Sequence, residues 1–421
     1  MKYKFALVFA ATISVIFACS KTPASQQPES VIDDNNPQAV RFSSNMVASL
    51  TTKSAGALDD WTGKDSLYVY GIRKVNGALV FPQDLDNPYD IEDENAFLIN
   101  NVGAVSPMPA ATDTTIYVYR VKSTKEYFFY REMYYYDFFA YYVDDAATYN
   151  ADRSEKQLLP KPNVNKEKLT ITLPFDITGK EDIMLAKADV AADVDKANKI
   201  YNKGAVASKA YGAHSSRRGV VPNLVFEHQL SRFNFFVKAG NQATQDHIIL
   251  DSLTVKTRRQ ATLVIASNDA STPIGLTDTA GVARKSVWLQ HKDEVTGELV
   301  DYTRELAVNP KYYEDNTHAG DVFGEPMMVI PGDKVYEVSL WLHQDDYSIE
   351  GGNFKVSLKI DFANLQVAAG QTKDARAEAG HQYDVTMTIF GLQQVDLSVS
   401  LTDWKSSGSF TINPDEDEDN A

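Results

Sequence analysis

Gln382-Tyr383-Asp384-Val385-Thr386-Met387-Thr388-Ile389 places a large apolar residue at every second position. Successive side chains of a strand point to opposite faces, so this period of two is that of a half-buried β-strand. Phe354, Val356, Leu358, Ile360 and Phe362 repeat the pattern upstream, within a strand expected over Asn353–Phe362. Val395, Leu397, Val399 and Leu401 repeat it downstream, with Asp396, Ser398, Ser400 and Thr402 between them. Further strands are expected at Ala39–Ser43, Ser66–Ile72, Thr115–Val121, Lys168–Leu173, Leu224–Phe226, Arg232–Val237, Ile248–Val255, Gln260–Ile265, Met327–Ile330 and Val335–Leu342. Short strands separated by turn-rich loops indicate β-sandwiches. One segment departs from this. Lys187 to Tyr211 is rich in Ala and Lys, with Val190, Val194, Ala197 and Tyr201 at helical spacing, and predicts a short surface helix.

Tyr127 to Tyr142 is almost solidly aromatic. A strand buried on both faces gives such a run. The alternative is a platform of rings that stacks on sugar. Met133 and Ala140 among the rings favour the core.

The chain has 421 residues, enough for two or three domains. Its 22 Tyr and 20 Phe suit strands. A net charge of −16 argues against nucleic acid or anionic lipid as partner, since phosphate contacts need Lys or Arg. Lys2 and Lys4 precede an apolar stretch, Phe5 to Ala18, that is shorter than the roughly 20 residues of a spanning helix and fits a signal peptide. Ala18-Cys19 at its end resembles a lipobox, in which Cys19 would be acylated and become the mature N-terminus. The plainer alternative is an ordinary signal peptide with an incidental Cys. Cys19 is the single Cys, so no intrachain disulfide and no Cys-based zinc site can form. Ser20 to Pro37 is polar and reads as a tether.

No motif for catalysis stands out. There is no G-x-S-x-G elbow, no phosphate-cradling loop and no H-E-x-x-H helix. The seven His are scattered. His228, beside a strand, reads as a structural hydrogen-bonder. Carboxylates cluster at Asp90, Glu92, Asp93 and Glu94, at Asp345-Asp346, and in the tail from Asp415 to Asp419. Such runs are usually solvated. No cofactor and no metal site are expected, and the chain reads as a non-enzyme.

Several stretches resemble the fimbrillin family, the subunits of type V pili and related surface lipoproteins. They are Val40-Arg41-Phe42-Ser43, the run Trp61 to Tyr70, Tyr136-Asp137-Phe138-Phe139-Ala140-Tyr141-Tyr142, Asp182-Ile183-Met184-Leu185-Ala186, Phe226-Glu227-His228-Gln229-Leu230-Ser231-Arg232-Phe233, Ala379-Gly380-His381-Gln382-Tyr383 and Trp404. The resemblance implies an all-β fold of two tandem transthyretin-like β-sandwich domains with a small helical insertion. It implies a signal peptide over 1–18, a lipidated tether and removable first strand over 19–53, sandwiches over 54–235 and 236–413, and an acidic tail over 414–421.

It further implies an outer-membrane precursor, held by lipid on Cys19, that a trypsin-like protease matures. The matching cut site is Lys53, in Thr51-Thr52-Lys53-Ser54-Ala55-Gly56, where Lys favours a protease that accepts Lys. Arg41 is the second choice, inside the strand. The vacated groove would receive the C-terminal strand of another pilin subunit, here Val395, Leu397, Val399 and Leu401. The same residues serve equally as the last strand of their own domain. The implied function is a stalk or tip subunit serving adhesion. The alternative is an uncut surface lipoprotein, acting as pilus anchor or binding host glycan or protein.

Overall fold

The computed structural model describes residues 38–46, 66–80, 97–105, 115–117, 127–129, 134–143, 163–165, 170–201, 211–277, 281–293, 299–301, 307–315, 318–344, 354–367 and 372–402. Cys19, Lys53, Trp61, Trp404 and the acidic clusters lie outside the described residues. The chain divides into two compact units, 1–36 and 37–421, and everything described belongs to the second.

The aromatic strand Tyr135–Val143 organises the first half. Every residue from Tyr136 to Val143 is buried. Tyr136, Phe138, Ala140 and Tyr142 enter one core with Phe42, Leu67, Val69 and Phe226. Phe139, Tyr141 and Val143 enter another with Tyr68, Tyr70, Leu173 and Ile265. The period of two thus puts rings on both faces of a doubly covered sheet, which accounts for the unbroken apolar run. Asp137 is the polar exception, 6% exposed, and Lys74 Nζ donates to its Oδ2 at 2.9 Å.

This sheet has eight strands. Their order is Ala78–Leu79, Ser66–Val75, Tyr135–Val143, Ile183–Lys187, Asn223–His228, Arg41–Met46 and Thr115–Tyr117, with Phe97–Val105 also pairing Ser66–Val75. On one face lies a four-stranded sheet of Gly275–Leu276, Gln260–Ser267, Thr170–Asp176 and Asn163–Asn165. On the other lies the helix Val190–Tyr201, whose Val194 joins the core. This helix begins later than the segment expected. Lys187 ends the strand Ile183–Lys187, and Asp189 Oδ1 caps the helix by accepting from Ala191 N at 3.0 Å.

The second half is a sandwich. A five-stranded sheet, with Asp321–Val322, Ser231–Ala239, Gln382–Ile389 and Val395–Thr402 in order and Met327–Val329 also on Ser231–Ala239, packs on a four-stranded one. The latter runs Arg284–Trp288, Ile248–Arg258, Val335–Gln344, Phe354–Asp361. Phe233, Tyr336, Phe362 and Tyr383 interlock edge to face at its centre, with the Phe233–Tyr336 centroids 5.0 Å apart and the Phe362–Tyr383 centroids 4.8 Å apart. Offset and edge-on contacts satisfy the ring quadrupoles.

Position 235/236 lies within the strand Ser231–Ala239. The chain passes from one sheet to another at Gln229-Leu230, with Leu230 fully buried. Gln260–Ser267 then returns to pair with Thr170–Asp176.

Candidate functional site

The first strand, Arg41–Met46, is not an edge. It runs parallel to Asn223–His228, from Ser43↔Asn223 to Met46↔Phe226, and antiparallel to Thr115–Tyr117, from Arg41↔Tyr117 to Ser43↔Thr115. Ahead of it, Val40 N donates to Tyr127 O at 2.7 Å and Phe129 N to Gln38 O at 2.9 Å. Val40 and Phe42 are 3% and 0% exposed. The Phe42 ring meets Phe138 edge-on, and Phe138 is further enclosed by Phe129 at 6.1 Å and Tyr211 at 5.6 Å. Withdrawing this strand would therefore uncover apolar rings and unpaired backbone on two neighbours at once, which is a template for another strand.

Tyr211 also fastens the helix beneath. Its hydroxyl donates to Asp193 Oδ2, whose same oxygen accepts from Asn223 N at 2.9 Å. Burial, then the Asp193 carboxylate, pushes the Tyr211 phenol far above its ordinary range.

The last strand, Val395–Thr402, lies antiparallel along the full length of Gln382–Ile389, from Ile389↔Val395 to Gln382↔Thr402. Val395 and Val399 are buried, and Leu397 and Leu401 are half-buried against the same core. Its outer edge takes one further partner that the sequence did not signal: Gln366 N donates to Val399 O at 2.8 Å and Leu401 N donates to Gln366 O at 2.9 Å. The strand is thus seated in its own sheet.

Among the described residues, several of the stretches that carry the family resemblance are neighbours in space. Tyr142 lies opposite Met184, and Met184 opposite His228. His228 Nδ1 is 3.1 Å from Asp182 Oδ1 in a fully enclosed pair, as its structural reading expects. Phe233 pairs Tyr383, Gly380 N donates to Leu230 O at 2.9 Å, and Ser231 Oγ to Glu378 O at 2.7 Å.

Solved structures resemble the chain. A fimbrial protein from Bacteroides vulgatus is 11% identical, with a TM-score of 0.44 over 88% of this chain and 100% of that one. A fimbrilin from Porphyromonas gingivalis is 10% identical, with a TM-score of 0.38 over 90% of this chain and 100% of that one. No protein-family model and no curated protein matches.

A hollow of about 620 Å³ opens at the end of the second sandwich, and among the described residues its lining, which includes Asn241, His247, Gln344, Phe354, Phe390 and Leu392, carries no carboxylate. Among the described residues no three of His, Cys, Asp and Glu are grouped to hold a metal ion. Arg217-Arg218 closes the short helix Ala213–Ser216, with Arg218 Nη1 donating to His214 O at 2.9 Å.

Proposed function

We propose that this chain is a structural subunit of a type V pilus serving adhesion and has no catalytic role. It is made as an outer-membrane lipoprotein anchored at Cys19. A trypsin-like protease cuts it at Lys53, and it assembles by strand exchange. The observation that supports this reading most is the seat of Arg41–Met46. A short strand from the N-terminal side fills an internal slot of the eight-stranded sheet and commits one ring, Phe42, to its core. Loss of such a strand leaves a gap shaped for an alternating strand such as Val395, Leu397, Val399 and Leu401 of a neighbour. In this reading the sandwiches act as two domains in tandem.

A second reading, an uncut anchor or surface adhesin, is favoured by one observation. Val395–Thr402 already completes its own sheet, so this strand is seated without a partner chain. N-terminal sequencing and intact mass of the protein from the surface of its own cells separate the two. A terminus at Ser54 supports strand exchange. A lipidated terminus at Cys19 overturns it in favour of the uncut form.

A further inference from the structure

The outward face of the sheet Arg284–Trp288, Ile248–Arg258, Val335–Gln344 and Phe354–Asp361 plays no part in strand exchange. The alternation that sends Val255, Val287, Val338 and Leu340 into the core sends Thr254, Trp288, Ser339 and Trp341 outward. Trp288 stands opposite Thr254 and Trp341 opposite Ser252. The two indoles stack, with centroids 5.0 Å apart and planes at 25°. Thr254 and Ser252 point away from the core yet are only 2% and 7% exposed, so the rings roof them. Trp288 itself remains 40% exposed. Among the described residues neither indole belongs to a core cluster. A rigid aromatic surface left in water, rimmed by polar groups, marks a place where a ligand docks.

The rim carries charges of both signs, Glu337 and Glu325 among them, and the charge nearest the indoles is a cation. Lys355 lies opposite Trp341, and its Nζ stands 5.5 Å from that ring's centroid. Lys359 is exposed four residues further along the same strand, on the same face, opposite Glu337. Lys256 is paired with Glu337 at 3.1 Å, and Arg284 with Asp333 at 2.7 Å. Ser339 and Ser357, opposite each other, put hydroxyls between the Trp341–Lys355 pair and the Glu337–Lys359 pair. On a chain of net charge −16, an exposed ammonium held against an indole, with Lys359 further along the same face, is complementary to an anion.

We infer that this face binds an acidic saccharide: a pyranose that lays its C–H face on an indole, offers hydroxyls to Ser339 and Ser357, and presents a carboxylate to Lys355 and Lys359. The inference does not rest on strand exchange. It holds for a cut or an uncut subunit.

The test titrates the purified full-length chain with sialyllactose and with trigalacturonate, following tryptophan emission and heat of binding. Lactose and an oligoglutamate peptide serve as controls. The expected result is binding of both acidic sugars at least about tenfold tighter than lactose. Trp288→Ala and Lys355→Ala should each weaken it about tenfold with the circular dichroism spectrum unchanged, while Trp288→Phe keeps most of it. Should Trp288→Ala perturb the fold, Lys355→Ala and Lys359→Ala, both at exposed positions, carry the test. The inference is overturned by no response to either acidic sugar at about 10 mM. It is equally overturned by lactose or oligoglutamate binding as well as they do, or by affinity that ignores these variants.

Discussion

The ring of Phe42 packs edge-on against Phe138, with centroids 5.0 Å apart and planes at 79°. One residue of the first strand is thereby locked to the centre of the aromatic strand, and both are 0% exposed. Phe42→Ala should lower the stability of the chain by about 3–5 kcal/mol, as large-to-small changes at buried aromatics do. Phe42→Leu should cost clearly less. Urea unfolding gives both values. An alanine variant within about 1 kcal/mol of the parent would mean that the strand is not anchored by this ring.

The opposite fault can be made at the same ring. Gly71 lies opposite Phe138, and a Cβ placed there would come within 2.7 Å of Phe138 Cε1. Gly71→Ala must push the ring into a packed core, at about 1–3 kcal/mol. Thermal unfolding should show the loss, and Gly71→Ala combined with Phe138→Leu should recover part of it.

Asp333 joins two arginines at the rim of the second sandwich. Arg284 reaches it with Nε at 3.1 Å and Nη2 at 2.7 Å, and Arg258 Nη2 lies 3.0 Å away. The side chains of Arg258 and Asp333 are 6% and 7% exposed, whereas that of Arg284 is half exposed. Asp333→Ala leaves a buried guanidinium without its counter-charge and should cost about 3–5 kcal/mol. Arg284→Ala removes a half-exposed partner and should cost about 1 kcal/mol or less. Denaturant curves that reverse this order would contradict the network.

Alternation made most of the strands legible, Gln382–Ile389 and Val335–Gln344 among them, because each shows one face to a core and one to water. It failed where that contrast is missing. Phe97–Val105 carries Asn100, Asn101 and Gly103 and does not read as a strand. The helix start is not legible from composition because Ala and Lys suit both sides of it, although Asp189 is a cap signal. The Trp288–Trp341 pair and the Gln366 bridge depend on chain segments that meet only in the fold. The choice between an exchanged and a home strand for Val395–Thr402 is invisible in the sequence, since both seats ask for the same four apolar residues.

Four buried phenols set the alkaline limit. Burial raises Tyr70, Tyr336 and Tyr383 above the ordinary tyrosine value of 10.0, and burial with Asp193 does so for Tyr211. Above that pH the unfolded chain loses these protons while the folded chain keeps them. The folded state then binds more protons, so stability is fully present below about pH 10 and falls as pH rises beyond it. Each such phenol contributes a slope of about 1.4 kcal/mol per pH unit. Tyrosinate absorbance should show these groups ionising together with unfolding. Gradual ionisation in a chain that stays folded would place them in contact with solvent.

The last strand offers the most direct test of exchange. Truncation after Gln394 uncovers the edge of Gln382–Ile389 and the core that Val395 and Val399 close. Each valine buried there is worth about 1.5–3 kcal/mol, so the truncated chain should bind a hydrophobic dye and unfold at lower urea. A synthetic peptide of residues 395–402 added in trans should reverse both changes by pairing along the same edge. A peptide with Val399→Asp should fail, because a carboxylate in that seat has no counter-charge and must be desolvated. A peptide with Asp396→Asn should succeed, because position 396 faces solvent. If the parent peptide does not restore the truncated chain, this strand does not act as a separable piece, and its role as a donor to another subunit falls with it.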